Sequence, residues 1–248
     1  MQGYPNPLAV CDALLGIGFT VAVLWALVAT SYRLLQWART PSPLPIPLTP
    51  APKTHLGVIG RLTLELFAFR ALLRADKTTW LASLLFHYGL LFVLIMHARF
   101  MFEHLPTLLI PFIIWSGWAA GAMVIGLCVL LARRVFIDRL RYISAPSDYL
   151  HLLLLIAIAV SGVCLKRFWP VDTFAVGQFF RGAMTLHWQP LPGSAVLWVH
   201  ILLVLVLIIV FPISKLLHGL GILFSPTLNQ RDTAAKSRTR SNDETSSS

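Results

Sequence analysis

Charged side chains are scarce in this sequence. Only 12% of its 248 residues are charged, whereas soluble domains usually carry about 25%. The chain therefore lacks the polar surface that would cover a water-soluble globule. Acidic residues are the scarcest, with 10 Asp and Glu against 20 Lys and Arg, which gives a net charge of +10. The hydrophobic content of 57% excludes a disordered chain. Three classes remain: nucleic-acid binding, membrane-surface binding, and an integral membrane protein with cationic loops.

Cysteine is also nearly absent. The three cysteines are scattered along the chain, at Cys11, Cys128 and Cys164, so a disulfide framework is excluded. The sequence has no CxxC or CxxCH motif. It therefore supplies neither the clustered thiolates of an iron–sulfur centre nor a covalent haem attachment site. It also lacks a phosphate loop, a metalloprotease motif and a nucleophile–base constellation, which excludes those hydrolytic classes.

Long apolar runs are what the chain does have. A transmembrane helix needs about 20 mostly apolar residues. Five stretches meet this length, at roughly 9–31, 79–101, 108–131, 148–168 and 194–217; we call them spans 1 to 5. They are too long for strands, and only helices satisfy their own backbone groups in lipid. The sequence therefore predicts an all-α integral membrane protein with five transmembrane helices.

The basic residues alternate between the two sides of this arrangement. Seven Lys and Arg lie between spans 1 and 2, four between spans 3 and 4, and five from Lys215 onward, against four on the other side. The positive-inside rule then predicts an N-terminus outside and a C-terminus in the cytoplasm. Nucleic-acid binding loses its support, because no compact basic domain remains. The expected location is the bacterial inner (cytoplasmic) membrane, crossed several times.

Residues 1–224 are expected to form one membrane domain, in which 41–77 is a non-spanning insertion. Its first part, 41–52, holds six prolines and is predicted to be a stiff, extended connector. Beyond it, an apolar stripe with helical spacing predicts a helix at the cytoplasmic interface or docked on a partner; the stripe comprises Leu62, Leu66, Phe69 and Leu73. The polar tail, 225–248, is predicted to be disordered.

Two spans carry histidine pairs. Span 2 contains His87 and His97, and span 5 contains His200 and His218. Because the two spans run in opposite directions, His87 and His218 fall toward the inside, and His97 and His200 toward the outside. Neutral imidazole nitrogens suit iron, so each pair could clamp a haem iron. The alternative is that these histidines only bond between helices, which is the expected role of His151 in span 4.

The spacing of the histidines constrains the packing of the two helices. Ten residues in span 2 rise about 15 Å, whereas eighteen in span 5 rise about 27 Å, so two straight rods would misalign one pair. Pro212, six residues before His218, is expected to break or bend span 5. Gly89, beside His87, would let a flat macrocycle approach the backbone.

These motifs resemble a known family. Span 5 has an H-x17-H pattern that closes with F-P-x-S-K-x-x-H, and span 2 has the H-x-G of His87-Tyr88-Gly89 and the ten-residue step to His97. Both patterns are similar to those of the respiratory nitrate reductase gamma-subunit family of dihaem cytochromes b. The proline-rich insertion is more like the sulfur-metabolism (DsrM) branch, the membrane cytochromes of dissimilatory sulfite reductase-linked complexes, with relatives in heterodisulfide-reductase-like systems.

The resemblance implies a cofactor set and its ligands. It implies two haems b in a helical bundle, the inner haem held by His87 and His218 and the outer one by His97 and His200. It also implies menaquinone or ubiquinone as an exchangeable substrate near the outer haem. The candidate quinone-binding residues follow His97 in the sequence and are Arg99, Glu103 and His104. Lys166 and Arg167 are alternatives. Another interpretation is that these polar residues only form the rim where the helix leaves the membrane.

The expected function is that of an electron-transfer subunit rather than a stand-alone enzyme. It would pass electrons between the quinone pool and a cytoplasmic iron–sulfur partner similar to heterodisulfide reductase, within a respiratory or sulfur-metabolism complex. We expect this partner to bind at the interfacial segment 57–76 and at the basic loop between spans 3 and 4. The rival hypothesis is a haem-free membrane anchor or transporter with structural histidines, although the repeats common in transporters are missing.

Overall fold

The computed structural model describes residues 7–41, 44, 46–102, 104 and 106–232. These residues form helices and loops, without a strand. The α-helices are α1 (Pro7–Arg39), α2 (His55–Ala68), α3 (Arg70–Ala75), α4 (Lys77–His97), α5 (Ile110–Phe136), α6 (Asp138–Ile143), α7 (Pro146–Arg167), α8 (Thr173–Thr185), α9 (Ala195–Val210) and α10 (His218–Gly221). Glu103 and residues 233–248 lie outside the described residues.

Five helices are long and apolar enough to cross a membrane. They occupy Ala9–Arg39, Lys77–Phe100, Thr107–Phe136, Pro146–Arg167 and Ala195–Ile213. The predicted all-helical class and the number of spans are confirmed. Span 1 extends eight residues beyond its predicted end, because Leu34, Leu35 and Trp37 continue the helix past Arg33. The protein is therefore a multi-pass membrane protein.

The chain divides into two compact units. Unit 1 comprises Met1–Leu27 with Asp76–Val210, and unit 2 comprises Val28–Ala75 with Phe211–Ser248. The core of unit 1 lies where the N-terminal part of α1 packs against α8, α9 and the loop that connects α8 to α9. Its buried members are Leu15, Val176, Phe179, Leu191, Leu197 and Ile201.

In unit 1, α4 and α5 pack closely along a glycine-bearing seam. A Cβ at Gly126 on α5 would lie 2.6 Å from the carbonyl oxygen of Ala82, and one at Gly89 on α4 would lie 2.7 Å from that of Ala119. Both residues are buried. Small residues let helix backbones approach in this way within membranes. Gly89 thus serves helix packing, and its expected role beside a macrocycle is wrong, because α5 occupies the space in front of it.

The N-terminus of α4 is fixed by one carboxylate. Oδ1 of Asp76 accepts hydrogen bonds from the backbone N–H groups of Thr78 and Thr79, and Oδ2 accepts one from the guanidinium of Arg133 on α5. The bond from the Thr79 N–H is the main cause that lowers the pKa of Asp76 from its usual value of 3.8, and the charge of Arg133 contributes. The capped turn and the ion pair therefore stabilise the same junction.

We expect Asp76→Ala to lower the midpoint of thermal unfolding near neutral pH. A carboxyl whose pKa is lower in the folded state stabilises above its unfolded pKa, and this contribution is lost as the pH falls through the folded value. The gap between wild type and Asp76→Ala should therefore close below the lowered pKa. Asp138→Ala is the control. Asp138 forms an ion pair with Arg141, but the two side chains are 87% and 62% exposed, respectively, so this pair contributes little to stability. Equal melting of all three proteins at neutral pH would contradict the assignment.

Helix α8 was not predicted from the sequence. The Asp172 carboxylate caps it by accepting from the backbone N–H of Phe174, and a buried face follows at helical spacing; that face includes Val176, Phe179 and Ala183. Thr20 on α1 donates a hydrogen bond to the Ala183 carbonyl at 3.1 Å. Helix α8 is too short to span a bilayer and contributes to the core of unit 1.

In unit 2, the expected interfacial helix is divided in two. Phe69 lies between α2 and α3 with φ 48°, the left-handed conformation that ends a helix. The side chain of Glu65 then accepts a hydrogen bond from the backbone N–H of Ala71 at 2.9 Å, within the first turn of α3. The apolar stripe predicted as one helix therefore belongs to two consecutive helices.

The proline-rich connector has hydrogen-bond partners within unit 2. The backbone N–H of Leu48 donates to the Thr227 carbonyl at 2.8 Å, and the N–H of Asp232 donates to the Pro52 carbonyl at 3.0 Å. Residues 225–232 belong to the segment predicted to be a disordered tail, and these bonds hold its described part against the connector. Proline supplies no N–H, so such bonds depend on the other residues of the connector.

The end of span 5 confirms the expected effect of proline. Helix α9 ends at Val210, and short 3-10 turns follow at Phe211–Ile213 and Lys215–Leu217. Pro212 removes a helical N–H donor at this point, and the hydroxyl of Ser214 accepts from the N–H of Leu216. The rise calculated for eighteen residues of continuous helix therefore does not apply between His200 and His218.

Candidate cofactor site

Two of the predicted histidines meet within unit 1. His97 is the last residue of α4, and His200 lies in the second turn of α9. Their ring centres are 6.3 Å apart, and the ring planes differ by 23°. Both side chains are partly buried. The structure thus brings together the pair that the sequence assigned to the outer side.

The tautomer of His200 follows from its neighbour Ser161 on α7. The Ser161 hydroxyl lies 3.0 Å from the Ile158 carbonyl and 2.9 Å from Nδ1 of His200. A hydroxyl has one proton to donate, and the carbonyl oxygen only accepts. When the Ser161 hydroxyl donates to this carbonyl, Nδ1–H of His200 donates to Ser161, and the neutral ring keeps its lone pair on Nε2, as a metal ligand requires.

His97 has the same tautomer for a similar reason. Its Nδ1 lies 2.7 Å from the carbonyl oxygen of Val93, one turn earlier on α4. Since a carbonyl only accepts, Nδ1 donates and Nε2 keeps its lone pair. Metal-binding histidines commonly donate their second ring nitrogen in this way, which orients the ring and raises the basicity of the ligating nitrogen. Both imidazoles are therefore prepared to act as ligands through Nε2.

The separation of the rings fits one metal atom between two imidazoles. With metal–imidazole bonds of about 2 Å and a ring radius of roughly 1.2 Å, two axial ligands place their ring centres about 6.4 Å apart. In the part of the chain that the structure describes, no group of three or more His, Cys, Asp or Glu could hold a metal ion. The pair therefore suits a metal whose other ligands come from a macrocycle, as in haem.

Of the other two predicted ligands, His87 belongs to unit 1 and His218 to unit 2. His87, on α4 in unit 1, is partly buried, and its Nδ1 lies 2.8 Å from the carbonyl of Ser83. His218, in unit 2, is exposed and begins α10; its Nδ1 lies 3.0 Å from the carbonyl of Lys215. Each carbonyl fixes the proton on Nδ1, so both residues have the same tautomer as His97 and His200.

Arg99 lies two residues after His97. Its guanidinium carbon is 4.8 Å from the centre of the Phe100 ring. Its Nε is buried and has no hydrogen-bond partner among the described residues. A buried donor without a partner is costly, so this atom is a candidate contact for a bound polar group. His104 is exposed, and Glu103 lies outside the described residues.

Lys166 contributes a second cation at this end of unit 1. Its Nζ donates to the Ser116 hydroxyl at 2.7 Å, and that hydroxyl donates to the Ile113 carbonyl at the same distance. Ser116 is only 2% exposed. Lys166 lies close enough to Arg99 for the two charges to repel. Lys166, one of the two alternatives that the sequence offers together with Arg167, is therefore near Arg99 of the first set.

Two segments that contribute to the site, one on α7 and one on α8, were missed from the sequence. Ser161 and Gly162 approach His200 from α7, and Phe180 of α8 packs 6.4 Å from Phe100, whose ring is 5.7 Å from that of His97. A signal existed for each: a serine–glycine step inside an apolar span, and apolar residues at helical spacing after Asp172. Neither signal shows which residue of another helix the segment contacts.

The chain is similar to proteins of known families. It matches the family model of the nitrate reductase gamma subunit over residues 56–229. A protein of Archaeoglobus fulgidus, named Hdr-like menaquinol oxidoreductase cytochrome b-like subunit, is 34% identical over 84% of this chain and 76% of that protein. A protein of the same name from Archaeoglobus profundus is 28% identical over 85% of this chain and 76% of that protein. The nitrate reductase gamma chain of Bacillus subtilis is 33% identical over 55% of this chain and 69% of its own.

Proposed function

The chain belongs to the nitrate reductase gamma-subunit family, and we propose that it is a dihaem cytochrome b subunit that exchanges electrons with membrane quinone. The observation that carries the proposal is the His97–His200 pair, whose ring separation of 6.3 Å suits two axial ligands of one iron. The names of the Archaeoglobus relatives, which include cytochrome b and menaquinol, support the same function.

His97 and His200 are the proposed ligands of the outer haem. Each presents a neutral imidazole with the lone pair on Nε2, and each ring is held by a hydrogen bond from Nδ1. When bound, haem b supplies one-electron redox chemistry at its iron. The helices that carry the pair are long and apolar, and a lipid environment around them would insulate the site from other electron acceptors.

His87 and His218 are the proposed ligands of the inner haem. This assignment comes from the H-x-G and H-x17-H patterns and from the family, and the Nδ1–H tautomer of each residue supports it. Two haems in one bilayer would let electrons cross from one side to the other. The proposed orientation, with the N-terminus outside, rests on the alternation of Lys and Arg among the loops.

The quinone site is proposed at the end of unit 1 that carries His97. Arg99 and Lys166 are cations that can donate to a quinone carbonyl oxygen or to the anion formed on reduction. Quinone chemistry also moves protons, for which Glu103 and His104 are candidate carriers. The binding pair is supported by the buried Nε of Arg99; the proton carriers rest on the sequence.

A separate iron–sulfur protein is the proposed partner on the cytoplasmic side. The chain has three cysteines, all free in the structure and far apart in sequence, so it offers no iron–sulfur ligation of its own. The Hdr-like names of the relatives support a partner similar to heterodisulfide reductase, and a complex of sulfur metabolism in the cytoplasmic membrane. Helices α2 and α3 in unit 2, and separately the basic residues around α6 in unit 1, are the proposed docking segments.

The proposal predicts a haem b absorption spectrum for the purified protein. Reduction by dithionite should give the sharp visible bands of a bis-histidine haem, and the pyridine haemochrome assay should return about two haems per chain. A menaquinol analogue should reduce the same bands. A colourless protein that folds and stays in detergent solution would instead support a haem-free membrane anchor or transporter.

A further inference from the structure

Helix α7 presents two consecutive residues to the imidazole of His200. The Ser161 hydroxyl lies 2.9 Å from Nδ1. A Cβ built on Gly162 would lie 3.2 Å from Cε1, 3.7 Å from Nδ1 and 3.9 Å from Nε2. Nδ1 of the ring is therefore in hydrogen-bond contact with Ser161, and Cε1 lies beside a position where even a methyl group would be tightly packed.

The hydrogen bonds form a short directed chain. The Ser161 hydroxyl lies 2.9 Å from Nδ1 of His200 and 3.0 Å from the carbonyl oxygen of Ile158, which is also close to His200. With the Nδ1–H tautomer that a ligand through Nε2 requires, His200 donates to Ser161 and the hydroxyl donates to this carbonyl. Consecutive hydrogen bonds polarise one another, so the carbonyl strengthens the serine oxygen as an acceptor. A stronger acceptor draws the proton from Nδ1 and increases the electron density on Nε2.

The contact with Ser161 joins His200 to another helix. The carbonyls that accept from Nδ1 of His87, His97 and His218 belong to residues three or four positions earlier in the chain. Each of these bonds lies within one segment of the chain. The partner of His200 is 39 residues away on another helix, so its ring depends on how α7 packs against α9.

We propose that Ser161 and Gly162 are positioning residues that set the orientation and electron-donating strength of His200. The inference rests on the proposed function, since it concerns the haem that His200 would ligate. Ser161 fixes the Nδ1–H tautomer, and Gly162 leaves the space in which the ring can lie. The midpoint potential of one haem is thus controlled by a helix that supplies neither of its ligands.

The test is Ser161→Ala in the full-length haem-loaded protein. Without the acceptor, Nε2 donates less electron density, so the ferric state is stabilised less and the midpoint potential of one haem rises. We expect the other haem to keep its potential and the haem content to stay unchanged. The low-spin ferric EPR signal of the same haem should also shift, because its lines report the orientation of the axial imidazoles. Ser161→Thr keeps the hydroxyl and should restore the wild-type potential.

Gly162→Ala gives a second, independent measurement. The added methyl crowds the ring, so the EPR lines of the same haem should move even though Ser161 is present. Gly121→Ala is the matched control, because nothing lies within 4 Å of its Cβ position, and it should leave both EPR signals unchanged. Should Ser161→Ala fail to fold, the Gly162→Ala spectrum decides the question.

The outcomes separate the inference from the proposed function. Two haems with wild-type potentials and EPR lines in both Ser161→Ala and Gly162→Ala would overturn the positioning role and leave the cytochrome intact. Equal changes at both haems would also overturn it, since the contact is specific to His200. A wild-type protein without haem would overturn the proposed function itself.

Discussion

Replacing His200 by alanine is expected to remove one haem b and to leave the other bound. The ring centres of His200 and His97 lie 6.3 Å apart, and alanine supplies no axial ligand. The haem content should fall from about two per chain to about one, as measured by the pyridine haemochrome assay. His97→Ala should have the same effect, because either substitution leaves the iron with one protein ligand. The double variant His97→Ala/His200→Ala should lose no more haem than either single one.

The remaining histidines provide the controls. His151→Ala alters a histidine at the other end of α7 from Ser161, which the sequence predicts to be a structural residue, and it should keep both haems. His218→Ala should remove the haem that His200→Ala retains, so the EPR signals missing from the two variants should be different. Full haem content in both His97→Ala and His200→Ala would refute the ligand assignment despite the geometry.

Two features of the fold that depend on local sequence were predicted correctly. Hydropathy over about 20 residues identified the five spans, and Pro212 marked the end of α9. The pairing of His97 with His200 was also accessible, because antiparallel spans place one histidine of each on the same side. These predictions need only the period of a helix and the direction in which it crosses.

Most other contacts between helices were not accessible from the sequence. The bond between Ser161 and His200 joins residues 39 positions apart, and nothing near Ser161 in the sequence names its partner. Gly89 is the clearest example, because its position beside His87 favoured a contact with a cofactor, whereas its neighbour is α5. A glycine indicates close approach, but the approaching group is decided by tertiary packing.

Gly126→Ala is expected to destabilise the protein strongly, although it adds only one methyl group. The new Cβ would lie 2.6 Å from the carbonyl oxygen of Ala82 and 2.8 Å from the backbone nitrogen of Phe86. Backbone atoms of a helix do not move aside as a flexible side chain does, so α4 and α5 must separate. Overpacking of this kind costs about 1–3 kcal/mol, which should lower the midpoint of thermal unfolding in detergent.

Gly121 on the same helix makes the comparison decisive. Nothing lies within 4 Å of its Cβ position, and alanine is a better helix former than glycine by about 1 kcal/mol in water. Gly121→Ala should therefore melt at or above the wild-type temperature, whereas Gly126→Ala melts below it. Because α4 carries both His87 and His97, the damaged seam should also reduce the yield of haem-loaded Gly126→Ala protein. Similar melting of the two variants would mean that α4 and α5 do not meet at Gly126.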